Sequence, residues 1–448
     1  MDYGLRMGRR AVEYEVIIIG GGVAGLSVGA LLAHQGHSVL LLEKDSFLGG
    51  RAHCVKREGF TIDNGLHVSR FGRQGACARV LKTLGKEAEF VIPGKPLVFI
   101  EGEFEPFPST PSEFVKAFIS TKFLSPLSRL KFLKIFLSVP LSSPKKYYHF
   151  SVYDWLSQHN PTEEILDVTR LFCGVAFVCP DLTKVSAREV GEFLRKAIFV
   201  KNHISYLKGG WMRLFDVLVK EIRSKGKIKT EVEVEKIKVS HNQVESVLTK
   251  DGEDKAKVVI STVPFQHLNK IIELKRLSKA LEEYAKRVEP TSGISLDFGL
   301  KEKVSALDGI IMTLDPLTMG CFTSNFEPSL APKGKQIGNW YYYVPQDLIK
   351  DKDYLNEQVK VLKNLLQEMF PGLWSLREWE RVRVLDIVDG AAPKVGQTWT
   401  ERPGFTSNLS NLFFAGDTTA GFGWGSEIAF DSALKCAEVV GEWLTAHI

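Results

Sequence analysis

The stretch VIIIGGGVAG, residues 16–25, decides the fold. Its first four residues are β-branched and apolar, as expected of a strand buried on both faces of a parallel sheet. A G-x-G-x-x-G pattern follows at once, and residues 26–35 have a helical composition. A second strand is predicted over 37–42 and ends at Glu43, which lies 23 residues beyond Gly20. Strand, glycine turn, helix, strand and acid in this order predict a dinucleotide-binding unit rather than an isolated glycine-rich turn.

The residues of this unit have separate physical roles. Gly20 permits the tight turn, Gly22 lets a pyrophosphate approach the backbone, and Gly25 lets the helix pack close to the strand. The start of the helix offers free N–H groups and a positive dipole end to the phosphates. Glu43 is expected to accept the ribose hydroxyls of an adenosine, and its charge disfavours the 2′-phosphate of NADP.

Two segments downstream indicate which dinucleotide is bound. Residues 44–51 read KDSFLGGR, and residues 60–67 read FTIDNGLH. Together with the preceding acid, they resemble the FAD-binding N-terminus of the flavin amine oxidase and phytoene desaturase superfamily. The resemblance implies that Arg51 reaches the pyrophosphate of FAD, a contact that suits a guanidinium fork. It also implies that the chain near Gly65 passes close to the isoalloxazine ring.

The other end of the chain resembles the C-terminal flavin motif of the same superfamily. Residues 411–417 form a predicted strand running into a Gly-Asp turn, and a long helix is predicted over 426–445. The resemblance implies that Asp417 contacts the ribityl-pyrophosphate region. It also implies that the N–H groups of Glu427 and Ile428 face the pyrimidine edge of the flavin, where a helix dipole stabilises negative charge. Ile428 departs from the E-G-A pattern common in the family.

A middle segment completes the predicted cofactor site. The resemblance implies that the backbone at Val234, on a predicted strand over 231–239, contacts the adenine. FAD is expected to be bound noncovalently, because no cysteine lies between residues 413 and 427. The full set of predicted FAD-binding residues is Gly20, Gly22, Val23, Ala24, Gly25, Glu43, Lys44, Gly50, Arg51, Ala52, Gly65, Leu66, His67, Val234, Gly416, Asp417, Glu427 and Ile428.

These motifs bracket nearly the whole chain and so predict its domain organisation. We expect an α/β fold with a discontinuous, Rossmann-like FAD-binding domain and an inserted α+β substrate-binding domain. The FAD-binding domain is assigned to 12–75, 205–265 and 405–448, and the substrate-binding domain to 76–204 and 266–404. Strands of the inserted domain are predicted at 294–300, 310–314, 318–324 and 336–344, and helical patterns at 81–85 and 353–370.

Composition excludes several other classes of protein. The chain has 448 residues, of which 44% are hydrophobic and 25% charged, as in folded globular proteins and unlike disordered ones. A net charge of +5 over this length is no nucleic-acid footprint. The six cysteines include no CxxC pair or zinc spacing, so no metal site is predicted and a cytoplasmic location is favoured. No hydrolase or kinase motif is present, which leaves the chemistry to the flavin.

Two features bear on the substrate. The amine oxidases of this superfamily place an aromatic cage residue, usually tyrosine, two positions before the acid matching Glu427, and here that residue is Gly425. Residues 114–149 contain seven Lys or Arg and no acid among many apolar side chains. This composition suits either a peripheral contact with an anionic membrane or two helices packed on the substrate domain. A hydrophobic, isoprenoid-like substrate is therefore favoured over an amine, with a noncatalytic FAD-binding protein as a further alternative. The electron acceptor and the oligomeric state stay open.

His67 is the predicted catalytic residue. It follows the D-N-G turn, and its unperturbed pKa lies near neutrality, so it is suited to proton transfer beside the flavin. The alternative is a histidine that only packs there.

Overall fold

The computed structural model describes residues 14–65, 67–108, 124–141, 147–198, 200 and 204–447. Leu66 and parts of the basic segment, 114–123 and 142–146, lie outside the described residues. The strands are β1 (Tyr14–Ile19), β2 (Val39–Leu42), β3 (Cys54–Arg57), β4 (Phe60–Asp63), β5 (Ser69–Arg70), β6 (Phe90–Val91), β7 (Leu97–Ile100), β8 (Glu103–Pro106), β9 (Ile204–Leu207), β10 (Lys227–Lys229), β11 (Val234–Ser240), β12 (Gln243–Thr249), β13 (Gly252–Asp254), β14 (Ala256–Ser261), β15 (Gly293–Leu300), β16 (Ile311–Thr313), β17 (Thr318–Cys321), β18 (Gln336–Tyr343), β19 (Arg377–Leu385) and β20 (Leu412–Phe414). The helices are α1 (Val23–His34), α2 (Ala76–Thr83), α3 (Pro126–Leu141), α4 (Val152–Ser157), α5 (Glu163–Phe177), α6 (Ala187–Ile198), α7 (Gly210–Lys225), α8 (Lys279–Arg287), α9 (Thr323–Phe326), α10 (Lys352–Met369) and α11 (Ser426–Ala446).

A parallel sheet of order β10-β2-β1-β14-β20 joins strands from the beginning, middle and end of the chain. All five strands come from the three segments assigned to the FAD-binding domain. The chain moves outward from β1 through β2 to β10 and then returns to the other side of β1 as β14 and β20. The strand order therefore reverses beside β1, and in such sheets a ligand binds at the carboxyl ends of the strands at this point.

The central strand and the first helix are apolar because both are buried on all sides. Val16, Ile17 and Ile18 are fully buried, and Ala24 to Ala33 are buried along the whole of α1. Helix α1 packs against both α7 and α11, the helices that follow the middle and C-terminal motifs. Because α1 is buried on all faces, the pattern of its residues does not indicate which face packs on the sheet. The glycine turn at its start sets its position beside β1.

A second sheet, of order β19-β15-β18-β17-β16-β7-β8, occupies the inserted segments. One face of β15 carries Leu296 and Phe298, which pack with Leu362 and Leu366 of α10. The other face carries Ser295 and Asp297, since side chains alternate along a strand. The inserted segments thus present one apolar face to a covering helix and one polar face.

The predicted elements are largely confirmed, with differences in their boundaries. The four predicted strands of the inserted domain all form, but helix α2 begins at Ala76 and ends at Thr83 rather than spanning 81–85. Strands β7, β8 and β19 were not predicted. Strand β11 begins at Val234 instead of 231, because Glu231 adopts a positive φ of 58° and breaks the extended conformation. The domain boundaries themselves stay a prediction.

Candidate active site

The glycine turn after β1 is compact enough to exclude side chains. Gly20 has φ +106°, and a Cβ built on it would lie 2.5 Å from Oγ1 of Thr262. A Cβ on Gly25 would lie 1.9 Å from the carbonyl oxygen of Gly20. Helix α1 therefore begins in direct contact with the strand end, as the predicted role of Gly25 requires. Among the described residues no side chain caps this helix, whose N-cap is Gly22 and whose first turn carries no acid.

Glu43, at the end of β2, faces the same turn. It is buried, with 6% of its surface exposed. Its Oε2 accepts the N–H of Gly21 at 2.5 Å, and its Oε1 accepts the N–H of Asp45 at 2.9 Å. Its backbone oxygen accepts the N–H of Val232 at 2.9 Å, which brings the start of β11 and Val234 alongside. Two predicted adenosine contacts thus lie at one sheet edge, whereas the neighbouring Lys44 is exposed.

The G-G-R segment packs onto the glycine turn. The N–H of Gly49 donates to the carbonyl oxygen of Gly21 at 2.8 Å, and a Cβ on Gly50 would lie 3.1 Å from Cα of Gly22. Ala52 is buried beneath this contact. Gly50 has φ +56°, so this close approach favours glycine at position 50, and it places Arg51 beside the turn.

Arg51 pairs with Asp417, although 366 residues separate them. Nη2 and Nη1 of Arg51 each lie 2.8 Å from a different carboxylate oxygen, and Nη1 also donates to the carbonyl oxygen of Val388 at 2.7 Å. The N–H of Gly390 donates to Asp417 at 2.6 Å. Burial alone would raise the pKa of Asp417, but Arg51 and this N–H hold it below its ordinary value. The side chain of Arg51 remains 41% exposed.

The start of α11 holds the carboxylate of Glu427 in a buried position. Its carboxylate turns to the start of α2, where Oε2 accepts the N–H of Ala76 at 2.5 Å, while the buried Oε1 has no partner among the described residues. Burial raises the pKa of Glu427 to about 7. The N–H groups of Glu427 and Ile428 make long bonds, of 3.4 and 3.3 Å, to carbonyls of the preceding turn. Their predicted contact with a flavin stays a prediction, as does that of Gly416, which has φ +137°.

The D-N-G turn holds Asp63, Gly65 and His67 close together. Asp63 is buried and hydrogen-bonded to the hydroxyl of Tyr206 and the thiol of Cys54, and burial raises its pKa to about 6. Gly65 has φ +110°, a conformation that favours glycine. Nε2 of His67 lies 3.0 Å from the carbonyl oxygen of Asn64.

The environment of His67 moves its pKa away from the near-neutral value of a free imidazole. Burial, and then the positive charge of Arg383, lower its pKa to about 4. Its ring centroid lies 5.5 Å from that of Trp211. The sequence shows neither the burial nor the nearby guanidinium that cause this shift. At pH 7 the imidazole is neutral, so it can accept a proton but carries none to donate beyond its single ring N–H.

The space beside Gly425, where the amine oxidases of the superfamily carry an aromatic cage residue, is not filled by another side chain. A Cβ built on Gly425 would meet no atom within 4 Å. The neighbouring Trp424 does not fill this position, because its Nε1 donates to Glu189 at 2.8 Å and its ring packs with Phe193 at 5.0 Å. The aromatic residues around Trp424 form a closed core.

Two parts of the site were missed in the sequence. The loop holding Val388 and Gly390 completes the environment of Asp417, and its Asp389-Gly390 turn dipeptide was the available signal. Arg383 lies beside the D-N-G turn, since a Cβ on Gly65 would be 3.7 Å from its Nη2. Its signal was weak, because it lies on a strand that was itself not predicted.

Other features of the described residues fall outside this site. A cavity of about 310 Å³ lies between α8 and residues 401–408, and none of the predicted site residues lines it. Within the described ranges, no cluster of three or more metal-ligating side chains occurs. The described helices are likewise too short or too polar to cross a bilayer.

Comparison with known proteins gives consistent matches over most of the chain. A family model described as flavin containing amine oxidoreductase matches residues 23–441. The pseudooxynicotine dehydrogenase of a Pseudomonas species is 24% identical over 476 aligned positions, covering 98% of this chain and 87% of that protein. The zeta-carotene desaturase of Arabidopsis thaliana is 34% identical over 127 residues, which are 27% of this chain and 23% of the desaturase. The solved structure of an oxidoreductase from Methanosarcina mazei shares the fold, with a TM-score of 0.79, 23% identity, and 94% of this chain and 99% of that chain covered.

Proposed function

This chain belongs to the flavin containing amine oxidoreductase family, and we propose that it is an FAD-dependent oxidoreductase acting on a hydrophobic, isoprenoid-like substrate. The reaction would be of the dehydrogenase, desaturase or isomerase type. When bound, FAD would supply the acceptor, at flavin N5, for a hydride from the substrate. The protein itself would bind and orient both molecules and exclude water from them.

The convergence of Arg51 and Asp417 carries this proposal. The two residues come from motifs at opposite ends of the chain, and they meet at the carboxyl edge of the parallel sheet beside the glycine turn. The backbones of Gly22 and Gly50 lie so close together that a Cβ on Gly50 would be 3.1 Å from Cα of Gly22. A guanidinium and the uncapped start of α1, next to a surface without side chains, suit a pyrophosphate.

Several residues favour FAD, held noncovalently, over NADP. Each carboxylate oxygen of Glu43 accepts one backbone N–H and keeps a lone pair for a ribose hydroxyl. The same charge repels a 2′-phosphate. The six cysteines are buried or half-buried, and burial raises the pKa of the Cys54 thiol, the nearest to the D-N-G turn. A thiol kept protonated is a poor nucleophile for a covalent flavin bond.

The spectrum of the purified protein tests the cofactor. We expect a yellow protein whose flavin is released as FAD when the chain is denatured with acid. A colourless protein that takes up no added FAD would overturn the proposal. Flavin that stays attached to the precipitated chain would overturn noncovalent binding alone.

Gly425 supports a substrate other than an amine. The position where amine oxidases of this superfamily carry an aromatic side chain is open here, and Trp424 is held away from it by Glu189. The match to the flavin containing amine oxidoreductase family keeps an amine oxidase as a second candidate. Anaerobic mixing with primary amines and with polyprenyl compounds separates the two, since only a substrate bleaches the flavin. A noncatalytic FAD-binding protein would be bleached by neither.

Helix α3 supports a peripheral contact with an anionic membrane. Its outer face exposes Leu127 and Leu130, at 63% and 70%, next to the exposed Lys134, while Phe132 and Ile135 are buried. Apolar side chains beside cations are the composition of interfacial helices. Phosphatidylglycerol vesicles at low salt should co-sediment the protein, and phosphatidylcholine vesicles should not.

A matched pair of variants locates this contact. The double change Leu127→Ser and Leu130→Ser should weaken co-sedimentation, whereas Ile92→Ser, at another exposed apolar position, should not. Equal binding of both variants, or no binding of the wild type, would remove α3 as the membrane-facing surface.

A further inference from the structure

Strands β15 and β19 place two arginines around a single carboxylate. Their antiparallel register sets Asp297 opposite Arg381 and Ser295 opposite Arg383, so all four side chains lie on one face of the sheet. This is the polar face, opposite the one that packs on α10. The arginines are therefore fixed by the sheet itself and not by a loop.

Asp297 is already satisfied without Arg383. It is completely buried and accepts bonds from Nε and Nη2 of Arg381, at 3.0 and 2.6 Å, and from Nδ2 of Asn339 at 2.7 Å. The hydroxyl of Ser295 donates to it at 3.2 Å. Nε of Arg383 lies 3.6 Å away, beyond hydrogen-bond distance. Two guanidiniums thus share one negative charge, which leaves one positive charge in excess.

Arg383 has unused hydrogen-bonding capacity. Its Nε is buried and has no acceptor among the described residues, and its Nη2 reaches only Oγ of Ser295, at 3.5 Å. Its side chain is 21% exposed, and burial lowers its pKa to about 10. A buried guanidinium without a full set of acceptors costs free energy unless a ligand completes it.

The free end of Arg383 lies beside the D-N-G turn and close to His67. Its Nη2 is 3.7 Å from the Cβ position of Gly65, and the adjacent Nε2 of His67 is 3.9 Å from that position. The pyrophosphate of the proposed FAD is assigned to Arg51, which lies in the segment Gly50–Ala52 beside the glycine turn of the parallel sheet. We propose that Arg383 is a substrate-recognition residue that binds an anionic group, such as a carboxylate, on an otherwise apolar substrate.

This inference rests on the proposed function, because it places the substrate over the D-N-G turn. A planar guanidinium forms paired, charge-assisted hydrogen bonds with a carboxylate. The excess positive charge would in turn repel an ammonium group. The substrate class is therefore an apolar molecule with an acidic group, rather than a hydrocarbon or an amine.

Calorimetric titration of the flavin-loaded protein with octanoate, 1-octanol and octylamine tests the inference. These probes share one apolar chain and differ in charge. We expect octanoate to bind at least about ten-fold more tightly than 1-octanol, as one charge-assisted contact implies, and octylamine to bind most weakly. Comparable affinities for octanoate and 1-octanol, or no binding of octanoate, would overturn it.

Variants on strand β19 assign the effect to one residue. Arg383→Gln should reduce octanoate binding to the level of 1-octanol, and Arg383→Lys should retain part of the preference as a point charge. Arg377→Gln, at an exposed position of the same strand, should bind octanoate as the wild type does. An Arg383→Gln protein that binds octanoate normally but shows an altered flavin reduction potential would place Arg383 on the cofactor and overturn the inference.

The flavin content separates the two proposals. A protein loaded with FAD that lacks the octanoate preference contradicts only the role of Arg383. A protein that takes up no FAD contradicts the proposed function, and the inference falls with it.

Discussion

Two arginine–aspartate clusters of this molecule use the same chemistry to different ends. In the first cluster, beside the glycine turn, one guanidinium, Arg51, faces one carboxylate, Asp417, and each of its two Nη atoms lies 2.8 Å from a carboxylate oxygen. In the sheet cluster, Arg381 and Arg383 face the single carboxylate of Asp297, and only Arg381 bonds to it. The first cluster is balanced in charge and the second is not.

The two clusters differ in net charge, and this difference changes the role of each arginine. The paired Arg51 and Asp417 hold two distant segments together, and the partly exposed Arg51 keeps further N–H groups for the proposed pyrophosphate. An arginine that shares its counter-charge keeps its attraction for a further anion, and it alters the titration of its neighbours. Arg383 lowers the pKa of His67 in this way, after burial itself.

Removing the shared carboxylate should have the largest effect. Asp297→Ala leaves Arg381 and Asn339 without their common acceptor and removes the negative charge beside two partly buried guanidiniums. We therefore expect a loss of about 3–5 kcal/mol in the free energy of unfolding. The shift of the urea midpoint at unchanged m-value measures it. Asp251→Ala, at an exposed turn, should stay within about 0.5 kcal/mol of the wild type. Equal midpoints for the two variants would show that Asp297 is not needed to neutralise the cluster.

Breaking the balanced cluster should cost less. Asp417→Asn keeps the shape but removes the charge opposite Arg51, which is partly exposed and can turn to solvent. We expect a loss of about 2 kcal/mol in stability and about ten-fold weaker FAD binding.

The stability that Asp417 contributes depends on pH, and the sign of this dependence follows from its pKa. Asp417 has a lowered pKa, so its contribution is present above the unfolded carboxyl pKa and is lost as the pH falls through the folded value. Asp386→Asn, at an exposed position of the neighbouring loop that holds Gly390, is the control. If both variants bind FAD equally well, Asp417 has no role in the cofactor site.

The charge excess of the sheet cluster can be observed through His67. The folded chain protonates His67 only below about pH 4, whereas the unfolded chain does so below about pH 6.5. The free energy of unfolding should therefore fall as the pH drops through this window. His67→Gln should flatten this dependence, and Arg383→Gln should raise the pKa of His67 toward its ordinary value.

Ring-proton NMR of histidine measures that pKa directly. A pKa of His67 unchanged by Arg383→Gln would mean that burial alone sets it. The flavin reduction rate of His67→Gln with substrate, at a pH where the imidazole is neutral in the wild type, tests the catalytic prediction separately. An unchanged single-turnover rate would leave His67 a packing residue.

The two clusters also differ in how far the sequence predicts them. Gly20, Glu43 and Asp417 each follow a strand of the parallel sheet, and the ends of such strands meet at one edge. Local motifs therefore place these residues together even when hundreds of positions separate them. The motifs therefore indicate that Asp417 lies near the glycine turn, whereas the ion pair between Arg51 and Asp417 is visible only in the structure.

The sheet cluster could not be predicted because β19 reverses the usual alternation. Residues 381–384 read R-V-R-V, a pattern that ordinarily indicates valines inside and arginines in water. Here Val382 and Val384 are 39% and 48% exposed, and the arginines face Asp297. The orientation is set by the buried carboxylate on the neighbouring strand, and no residue within β19 indicates which strand that is.

An exposed ion pair on the same strand gives the smallest expected effect. Arg377 and Glu380 lie 2.7 Å apart, but their side chains are 43% and 27% exposed, and Glu380 keeps a second partner in Lys363 at 2.6 Å. Arg377→Gln should change the free energy of unfolding by less than about 0.5 kcal/mol. A loss comparable to that of Asp297→Ala would mean that strand pairing, and not the buried charge, dominates β19. Arg383 would then serve to stabilise the strand. Its excess charge would not indicate that it binds a ligand.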